Sequence, residues 1–373
     1  MIVIKKVTTP KELKEFVNFQ FTLFKGNKYW VPPLISEELA TFDKEKNPNL
    51  KNCDIELYLA YKNNKIVGKV AAIINWEEVK TLNKKKTRFG WFDVIDDVNV
   101  TEALLNKVTE FGKEKGMNHI EGPLGFSNLD KVGVLTEGYD QIGTMISWYS
   151  MPYYKTHFEQ LGFAVEKQYQ ESVFSMLDVD IAPYKRASKM IQERYSLRAL
   201  NFKTTKEIMP YVDEMFELFN VSYEKLQSFV PITQAQINYI KKKHIGFINP
   251  EYIKFVVDKN DKIISFVIVM PSFAKALQKA NGKLFPFGWW HLLQAKKHAK
   301  EVAFYLIGVH PDYQNKGVTA IQFDVFYDVF KAKNITTCIR TPELEENHAM
   351  HNLWKNFNPK INKRRCTYLK YIV

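Results

Sequence analysis

The sequence lacks the features of a membrane, secreted or metal-binding protein. No apolar run in its 373 residues approaches the roughly 20 residues that span a bilayer. Its first residues contain no apolar stretch long enough for a signal peptide. The eight histidines are scattered and form no HExxH or similar ligand pair, so we expect no metal site. These absences predict a cytoplasmic, metal-free globular protein.

Cysteine is also scarce. Cys53, Cys338 and Cys366 are widely separated and match no zinc-binding or redox spacing. A cysteine without such a pattern usually behaves as a small buried apolar residue. We therefore predict three free thiols, two of them on strands.

Positive charge is abundant, with a formal net charge of +12 and an isoelectric point near 9.2. Such a surface attracts phosphate-rich partners, although a lysine-rich surface that is merely solvated has the same composition. The densest basic run, LNKKKTR at residues 82–88, is interpreted as a loop. No zinc finger or RNA-binding signature accompanies it, so we expect no nucleic-acid partner.

The chain contains a long internal repeat. Residues 58–74 and 253–270 both read as an apolar strand, a polar turn and a second apolar strand. Upstream, TTPKELKEF from Thr8 and TTKEIMPY from Thr204 both read as the start of a capped amphipathic helix. A repeat of roughly 200 residues is far longer than a solenoid unit, so it indicates a duplicated domain.

The repeat divides the chain into a first copy at residues 1–178, a linker with a first helix at 179–200, and a second copy at 201–373. In the second copy, strand 302–309 leads through GVHPDYQNKGVTA into a helix at 318–332. A strand at 335–341, a helix at 347–356 and a last strand follow. The expected fold is α/β, with a central mixed sheet flanked by helices in each copy.

The second copy resembles the GCN5-related N-acetyltransferase (GNAT) family. Val309, Pro311, Gln314 and Gly317 match the family pattern V-x-P-x-x-[QR]-x-x-G-x-[GA], and only the last position, Thr319, departs from it. Asn347 stands where the family often has an asparagine before its last helix. The whole chain resembles the bacterial tandem-GNAT proteins, among them the YghO-like group.

The resemblance implies a loop that holds the pyrophosphate of acetyl-CoA or another acyl-CoA. A helix N-terminus offers unpaired N–H groups and about half a positive charge, which suits an anion. An ordinary strand-to-helix turn is the alternative interpretation. The predicted cofactor-binding residues are those of the loop, the preceding strand and the last helix: Ile307, Val309, Gln314, Asn315, Lys316, Gly317, Val318, Thr319 and Asn347.

The first copy has a strand and a helix at residues 89–108 but no such loop, and Asp96 and Asp97 lie near the expected phosphate position. Two carboxylates there repel a diphosphate. They also favour the N-terminus of the following helix, which is the simpler interpretation. We expect the first copy to be a degenerate GNAT domain that does not bind coenzyme A in the usual manner.

The resemblance implies acyl transfer from acyl-CoA to a primary amine of unknown identity. A tyrosine of the family's last helix commonly protonates the departing sulfur, but Trp354 and Phe158 occupy that position in the two copies. Glu346 and His310 are the predicted catalytic residues, and each is also compatible with an ordinary loop role. The alternative function is a GNAT-derived protein that binds coenzyme A or another ligand without turnover.

The second copy also carries a basic and aromatic insertion at residues 272–300. One interpretation is an interfacial segment, at 281–298, that contacts a membrane surface or an acyl chain. The other, favoured on helical spacing, packs Phe285, Trp289 and Leu293 onto the seam between the copies.

Overall fold

One continuous sheet runs through the whole molecule. The computed structural model describes residues 1–127, 129–224, 229–243, 245 and 248–372. Thirteen strands belong to the sheet, and helices cover both of its faces. The mixed α/β architecture expected from the sequence is confirmed.

The described part of the first copy contains seven strands and five α-helices. Its strands are β1 (Ile2–Lys6), β2 (Cys53–Lys62), β3 (Lys65–Asn75), β4 (Lys86–Val94), β5 (His119–Gly122), β6 (Val134–Glu137) and β7 (Ala164–Phe174). Its helices are α1 (Pro10–Leu23), α2 (Ile35–Thr41), α3 (Trp76–Leu82), α4 (Val98–Glu114) and α5 (Tyr153–Gln160).

The second copy repeats this order with additions. After α6 (Ala182–Tyr195), its strands are β8 (Arg198–Asn201), β9 (Ile253–Val257), β10 (Ile263–Pro271), β11 (Glu301–Val309), β12 (Thr337–Leu344) and β13 (Lys360–Tyr371). Its helices are α7 (Thr205–Ile208), α8 (Val212–Tyr223), α9 (Gln234–Lys243), α10 (Ala274–Ala280), α11 (Gly288–His298), α12 (Thr319–Lys333) and α13 (His348–Trp354).

The repeated helix starts have the same cap in both copies. Thr9 and Glu12 form a capping box at α1, and Thr204 and Glu207 form the equivalent box at α7. The box satisfies two backbone N–H groups that a helix end otherwise leaves without partners. The second helix breaks around Pro210, where a 3-10 turn separates α7 from α8, because proline lacks the N–H that a continuous helix requires.

The two copies exchange their last strands, which the sequence pattern does not reveal. The spatial order is β1-β2-β3-β4-β5-β13-β7-β12-β11-β10-β9-β8, and β6 adds to β13. The final strand of the chain therefore pairs with β5 of the first copy, while β7 of the first copy pairs with β12 of the second. Each copy is completed by a strand that belongs to the other.

A buried ion cluster lies where the exchanged strands meet. Glu171 on β7 is fully buried, and its carboxylate contacts Lys363 Nζ at 2.9 Å and Arg365 Nε at 2.5 Å on β13. Burial opposes ionisation of Glu171, but the two cations outweigh it and hold its pKa below the ordinary value. Arg365 also donates to the Trp148 carbonyl at 2.6 Å.

Two further expectations concern the cysteines and membrane-spanning segments. Cys53, Cys338 and Cys366 are free thiols, and all three lie on strands rather than two. Within the described ranges, no helix is both long and apolar enough to cross a membrane.

Removal of the Glu171 charge should destabilise the joint between the copies. Glu171→Gln leaves Lys363 and Arg365 buried without their anion, and breaking a buried pair in this way typically costs about 3–5 kcal/mol. Urea unfolding at neutral pH measures the loss. Glu137→Gln is the matched control, because Glu137 pairs with Arg364 on the same strand but is mostly exposed. An equal, small effect of the two substitutions would contradict a structural role for the cluster.

Candidate functional site

The parallel strands β11 and β12 separate half-way along their length. They pair only from Glu301 to Phe304 on β11 and from Thr337 to Arg340 on β12. At that point the register between β10 and β11 shifts, and Tyr305 is the extra residue of a β-bulge. A bulge bends its strand and increases the local twist. The ends of β11 and β12 therefore diverge and open a crevice inside the sheet.

One backbone edge of β11 faces this crevice. The His310 amide donates to the Ile264 carbonyl on the β10 side. Because backbone groups alternate along an antiparallel strand, Ile307 and Val309 turn their N–H and C=O groups the other way, toward β12. Tyr223 Oη donates to the Ile307 carbonyl at 2.8 Å, and Ser222 Oγ donates to the Val309 carbonyl at 3.2 Å. Helix α8 thus satisfies the two carbonyls, while the two N–H groups face the crevice.

The loop after β11 gathers unpaired amides at the start of α12. Asn315 and Gly317 adopt left-handed backbone conformations, with φ of 60° and 74°. The helix begins without a side-chain cap. In the described part of the chain, no acceptor bonds the amides of Asn315, Gly317, Val318 and Thr319. Alternating left- and right-handed residues point successive amides into one concavity, which is a common anion-binding arrangement.

Helix α6 forms the outer wall of this loop. A Cβ on Gly317 would lie 2.9 Å from Ile191 Cδ1, so a larger residue here would require the Ile191 side chain to shift and would be strained at the positive φ. Lys316 Nζ lies over the rings of Tyr195 and Tyr313, at 5.4 and 5.2 Å from their centroids. Cation–π contact keeps this ammonium group beside the loop. Gln314 Nε2 donates to the Val309 carbonyl at 3.3 Å.

The crevice opens into a cavity of about 250 Å³ that both copies line. The second copy contributes residues from the diverging strands and from α8 and α13. The first copy contributes residues from β4, β5, β7 and the segment after β5. The side chains that matter for chemistry or access are Tyr223, Tyr305, Glu343, Asn347, Lys86, Arg88, Asp130, Lys131 and Lys167.

Asp130 is a half-buried carboxylate that lines this cavity on the first-copy side. Burial raises the pKa of Asp130 above its ordinary value, although hydrogen bonds from Ser127 oppose the effect. Ser127 donates from its amide at 2.7 Å and from Oγ at 3.0 Å, both to Oδ2. Burial also raises the pKa of Tyr305, and the negative charge of Asp130 adds to that shift. The two side chains therefore interact across the boundary between the copies.

A buried charge network supports the wall on the first-copy side. Lys86 Nζ contacts Glu78 at 2.9 Å and Glu121 at 2.8 Å, and Arg88 contacts Glu78 at 2.9 Å. All four side chains are buried. Burial opposes ionisation of Glu78, but Arg88 and then Lys86 outweigh it and lower its pKa to about 2.

The interpretation of the basic run at 82–88 as a loop is wrong for its second half. Lys86 and Arg88 lie on β4, and both are buried. Their carboxylate partners come from other segments of the chain, from α3 and β5. The run itself therefore carries no sign that its charges are neutralised internally rather than solvated.

The predicted site residues fall into two groups. The loop residues and the strand residues Ile307 and Val309 lie together along β11 and the start of α12. Asn347 accepts the Met350 amide as the cap of α13 and lines the cavity. Glu346 is exposed and does not line the cavity. His310 accepts the Asp312 amide at 3.3 Å, which is a local turn contact.

Trp354, at the position where the family commonly has tyrosine, is buried among aromatic rings and lines the cavity. Phe174, Phe304 and Phe323 pack against it. Its indole Nε1 is buried and bonds no other group in the described residues. An indole N–H donates a hydrogen bond but does not release its proton, so Trp354 is no substitute for a tyrosine acid.

The equivalent edge of the first copy is occupied by its own side chains. On β4, the Val94 amide donates to Tyr154 Oη at 3.1 Å, and Tyr153 Oη donates to the Val94 carbonyl at 2.7 Å. Asp97 caps α4 by accepting the Asn99 amide. Asp96 contacts His157 at 3.2 Å. The first copy therefore satisfies its edge internally at the position where the second copy presents free amides.

No sequence pattern marks Asp130 or Tyr305 as residues of the cavity that they line. Asp130 lies in an irregular segment between β5 and β6 that has no counterpart in the repeat. Tyr305 lies inside an apolar strand pattern, where an aromatic residue predicts core. The bulge at Tyr305 accompanies its position in the cavity wall, and a bulge has no fixed sequence pattern.

Two known bacterial proteins are similar to the chain over most of its length. No model of a known protein family matches the chain. The chain is 25% identical over 376 residues to protein YghO of Escherichia coli, which spans 99% of this chain and 95% of that protein. It is 24% identical over 312 residues to the bacterial ceramide synthase of Caulobacter vibrioides, spanning 83% of this chain and 80% of that one.

Solved structures with the same arrangement share little sequence. A tandem GNAT protein from the clavulanic acid biosynthesis pathway aligns over 100% of this chain and 99% of its own, with a TM-score of 0.59 and 9% identity. A GCN5-related N-acetyltransferase from Sphaerobacter thermophilus covers 100% and 96%, with a TM-score of 0.56 and 10% identity. The chain therefore has the tandem GNAT fold, as the residues of its loop indicate.

The charge network predicts a specific pH dependence of stability. The folded protein holds the pKa of Glu78 at about 2, against 4.5 for an unperturbed glutamate. A carboxyl whose pKa is depressed stabilises the fold above its unfolded pKa, and this contribution is lost as pH falls toward the folded value. For Glu78 the full effect is about 3 kcal/mol.

Glu78→Gln should therefore lower the free energy of unfolding most at about pH 6 and progressively less toward about pH 3. Urea unfolding across this range measures the difference from the unsubstituted protein. Glu77→Gln, at the neighbouring and less buried position, serves as control. A wild-type-minus-variant difference that does not change with pH would show that Glu78 is not held ionised by its partners.

Proposed function

We propose that this chain, which has the tandem GNAT fold, is an acyl-CoA-dependent N-acyltransferase whose second copy transfers the acyl group to a primary amine. The observation that carries this proposal is the continuity of three features. An amide nest at the start of α12 leads to the free edge of β11, and that edge leads to a cavity lined by the half-buried carboxylate of Asp130. A diphosphate, an extended arm and a reacting carbonyl fit this order.

The loop residues suit the diphosphate of coenzyme A. The amides of Asn315, Gly317, Val318 and Thr319 supply donors, and the N-terminus of α12 supplies partial positive charge. Lys316 adds a full charge beside them. The N–H groups of Ile307 and Val309 are placed to bind the amide carbonyls of the pantetheine arm, whose path follows the edge of β11.

The reaction needs a proton acceptor for the amine and a donor for the carbonyl oxygen. The amine nitrogen forms a bond to the thioester carbon, the carbon–sulfur bond breaks, and one ammonium proton leaves with the thiol after passing through the base or solvent. A backbone N–H of β11 close to the bulge at Tyr305 polarises the carbonyl. A thiol has a pKa of about 8.5, so the sulfur leaves without a strong acid near neutral pH.

Asp130 is the proton acceptor that we infer from the cavity. It is half-buried, its pKa is raised, and it lies where the two copies meet. A raised pKa brings a carboxylate closer to the operating pH, which improves its efficiency as a base. Glu346 and His310 remain the competing candidates from the sequence, and Asn347 remains a candidate cofactor contact.

The acceptor amine enters from the side of the first copy. Leu124, Leu129 and Ile146 give that part of the cavity an apolar lining. A relative of the chain is named bacterial ceramide synthase, and ceramide is the amide of a fatty acid with a long-chain amino alcohol. We therefore propose an amine on an aliphatic chain as the acceptor class, with a fatty acyl-CoA as the donor.

The proposal predicts one coenzyme A site per chain. Because Tyr153 and Tyr154 occupy the equivalent edge of the first copy, that copy should contribute only the acceptor side. Isothermal titration of the full chain with coenzyme A should give a single site. A stoichiometry of two would contradict the inference that the first copy is degenerate.

Gly317→Val should weaken coenzyme A binding by at least about tenfold, because a β-branched residue is strained at the positive φ that the loop requires and also displaces Ile191. The measurement is the dissociation constant by titration. Gly162→Val is the matched control, since Gly162 has the same φ of 74° and open space around it but lies outside the loop. Equal losses in both variants would indicate general destabilisation and no specific loop contact.

Asp130→Asn should lower acyl transfer by about 10²- to 10⁴-fold with little change in coenzyme A binding. Release of free thiol from acetyl-CoA and long-chain acyl-CoA, with a panel of short and long-chain amines, measures the rate. Because a base works only when deprotonated, kcat/KM of the unsubstituted protein should fall as pH drops through the raised pKa of Asp130. That acid limb should be missing from the variant.

Glu346→Gln is the comparison that decides between the two carboxylates. If Glu346→Gln abolishes transfer and Asp130→Asn does not, the assignment of the base is wrong while the proposed reaction stands. Binding of coenzyme A without turnover of any amine by the unsubstituted protein would instead favour a ligand-binding role.

A further inference from the structure

The insertion in the second copy forms a helical hairpin that docks on the first copy through one face. The Ile35 amide donates to the Gly282 carbonyl at 2.9 Å, between α10 and α11. Gln278 Nε2 donates to the Lys28 and Trp30 carbonyls at 2.8 and 3.0 Å. Leu277 and Leu292 are buried against the same segment. The hairpin is therefore held firmly, and its orientation is fixed.

The opposite face of the hairpin is exposed and apolar. This exposed patch consists of Phe285, Phe287, Trp289, Trp290 and Leu293. Each of these side chains is between 44% and 77% exposed. A single exposed apolar residue is common on a protein surface, but five large ones within nine residues form a contiguous patch of the kind that marks an interaction site.

The sequence interpretation that packed Phe285, Trp289 and Leu293 onto the seam is wrong. Helix α11 buries Gly288 and Leu292, which are one turn apart, and so turns the neighbouring stripe away from the protein. Helical spacing predicts that two residues share a face, but it does not decide which of two apolar stripes packs inward.

The charge around the patch has one sign. Residues 272–300 contain six lysines and no aspartate or glutamate. Lys283 and Lys297 are exposed beside the aromatic residues, and Lys300 follows at the end of the hairpin. By helical spacing, Lys297 lies on the same side of α11 as Trp290 and Leu293.

We propose that the exposed patch docks the protein on the surface of an anionic lipid membrane. Tryptophan and phenylalanine insert among the headgroups, and the surrounding lysines attract the anionic lipids. The Trp289 indole already donates to the Pro286 carbonyl at 2.9 Å, so its ring enters an apolar layer without an unpaired N–H. A second copy of the chain fits less well, because an isologous contact would bring two lysine-rich rims together.

Vesicle binding tests the proposal on the full chain. We expect co-sedimentation with vesicles of phosphatidylcholine and phosphatidylglycerol at low salt, and much weaker binding to phosphatidylcholine alone. Binding should decrease as salt rises from about 50 to about 500 mM, because salt screens the lysine contribution. Tryptophan emission should shift to shorter wavelength on binding as the rings leave water.

Two substitution sets separate the apolar and the electrostatic parts. Combined Trp289→Ser, Trp290→Ser and Leu293→Ser should reduce partitioning by at least about tenfold at every salt concentration. Combined Lys283→Gln and Lys297→Gln should reduce it mainly at low salt. Met190→Ser, which removes an exposed apolar residue of α6, is the matched control and should bind like the unsubstituted protein.

Two outcomes would overturn the proposal. One is vesicle binding that is equal for the patch variant and the unsubstituted protein. The other is no binding to anionic vesicles together with a concentration-dependent dimer that the patch variant abolishes, which would make the surface an interface between copies. Failure of this proposal can be told apart from failure of the proposed acyl transfer. Coenzyme A titration of the patch variant tests the loop independently of the membrane, and normal binding also shows that the variant is folded.

Discussion

The divergence of two parallel strands inside a continuous sheet is the constraint on which the rest of the structure depends. Where β11 and β12 part, each strand exposes a row of backbone donors and acceptors in the middle of the molecule, and such groups are costly when they are buried without partners. The two copies meet this requirement differently. The first fills the edge with tyrosine hydroxyls from α5, whereas the second satisfies only its carbonyls, from α8, and leaves the N–H groups of Ile307 and Val309 facing the crevice. The two copies have similar folds and differ in which groups bond the exposed backbone edge: side chains bond both the N–H and the C=O groups in the first copy, but only the C=O groups in the second.

The exchange of the last strands explains why one cavity has walls from both copies. Because β13 crosses into the first copy and β7 into the second, only these two strands lie between β5 and β12. Asp130, which follows β5, therefore lines the same cavity as Tyr305 and Ile307 of β11, although the two segments are far apart in sequence. The buried ion cluster at Glu171 links the exchanged strands β7 and β13, and the cluster at Glu78 links α3 to β4 within the first copy. Such clusters add little net stability relative to apolar packing, but they penalise any register in which the charges lose their partners.

Local features were predictable from the sequence, and those set by tertiary structure were not. The hairpins, the capping boxes at Thr9 and Thr204, and the loop before α12 follow from short patterns with a local physical cause. The strand exchange has no local signature, because β7 and β13 would read as ordinary last strands with either partner. Burial of Lys86 and Arg88 depends on carboxylates brought in from other elements. Which apolar stripe of α11 packs inward depends on its contacts with the first copy. The helical spacing alone therefore led to the wrong prediction that Phe285, Trp289 and Leu293 are buried.

The position of the docking hairpin in the chain connects the two proposals through a short physical path. The hairpin lies between β10 and β11, and only two residues separate the end of α11 from the start of the strand that carries the crevice edge. Glu301, the first residue of β11, also contacts Lys275 of α10. A membrane bound at the exposed patch would therefore lie near β11, the strand that we propose to hold the acyl donor, and only two residues separate this strand from α11. The proposed acceptor, an amine on an aliphatic chain, would reside in that same membrane, because its apolar part partitions out of water. Membrane docking and acceptor binding would then both be driven by the burial of apolar surface. Docking would bring the protein to such a substrate although none of its described helices spans a membrane.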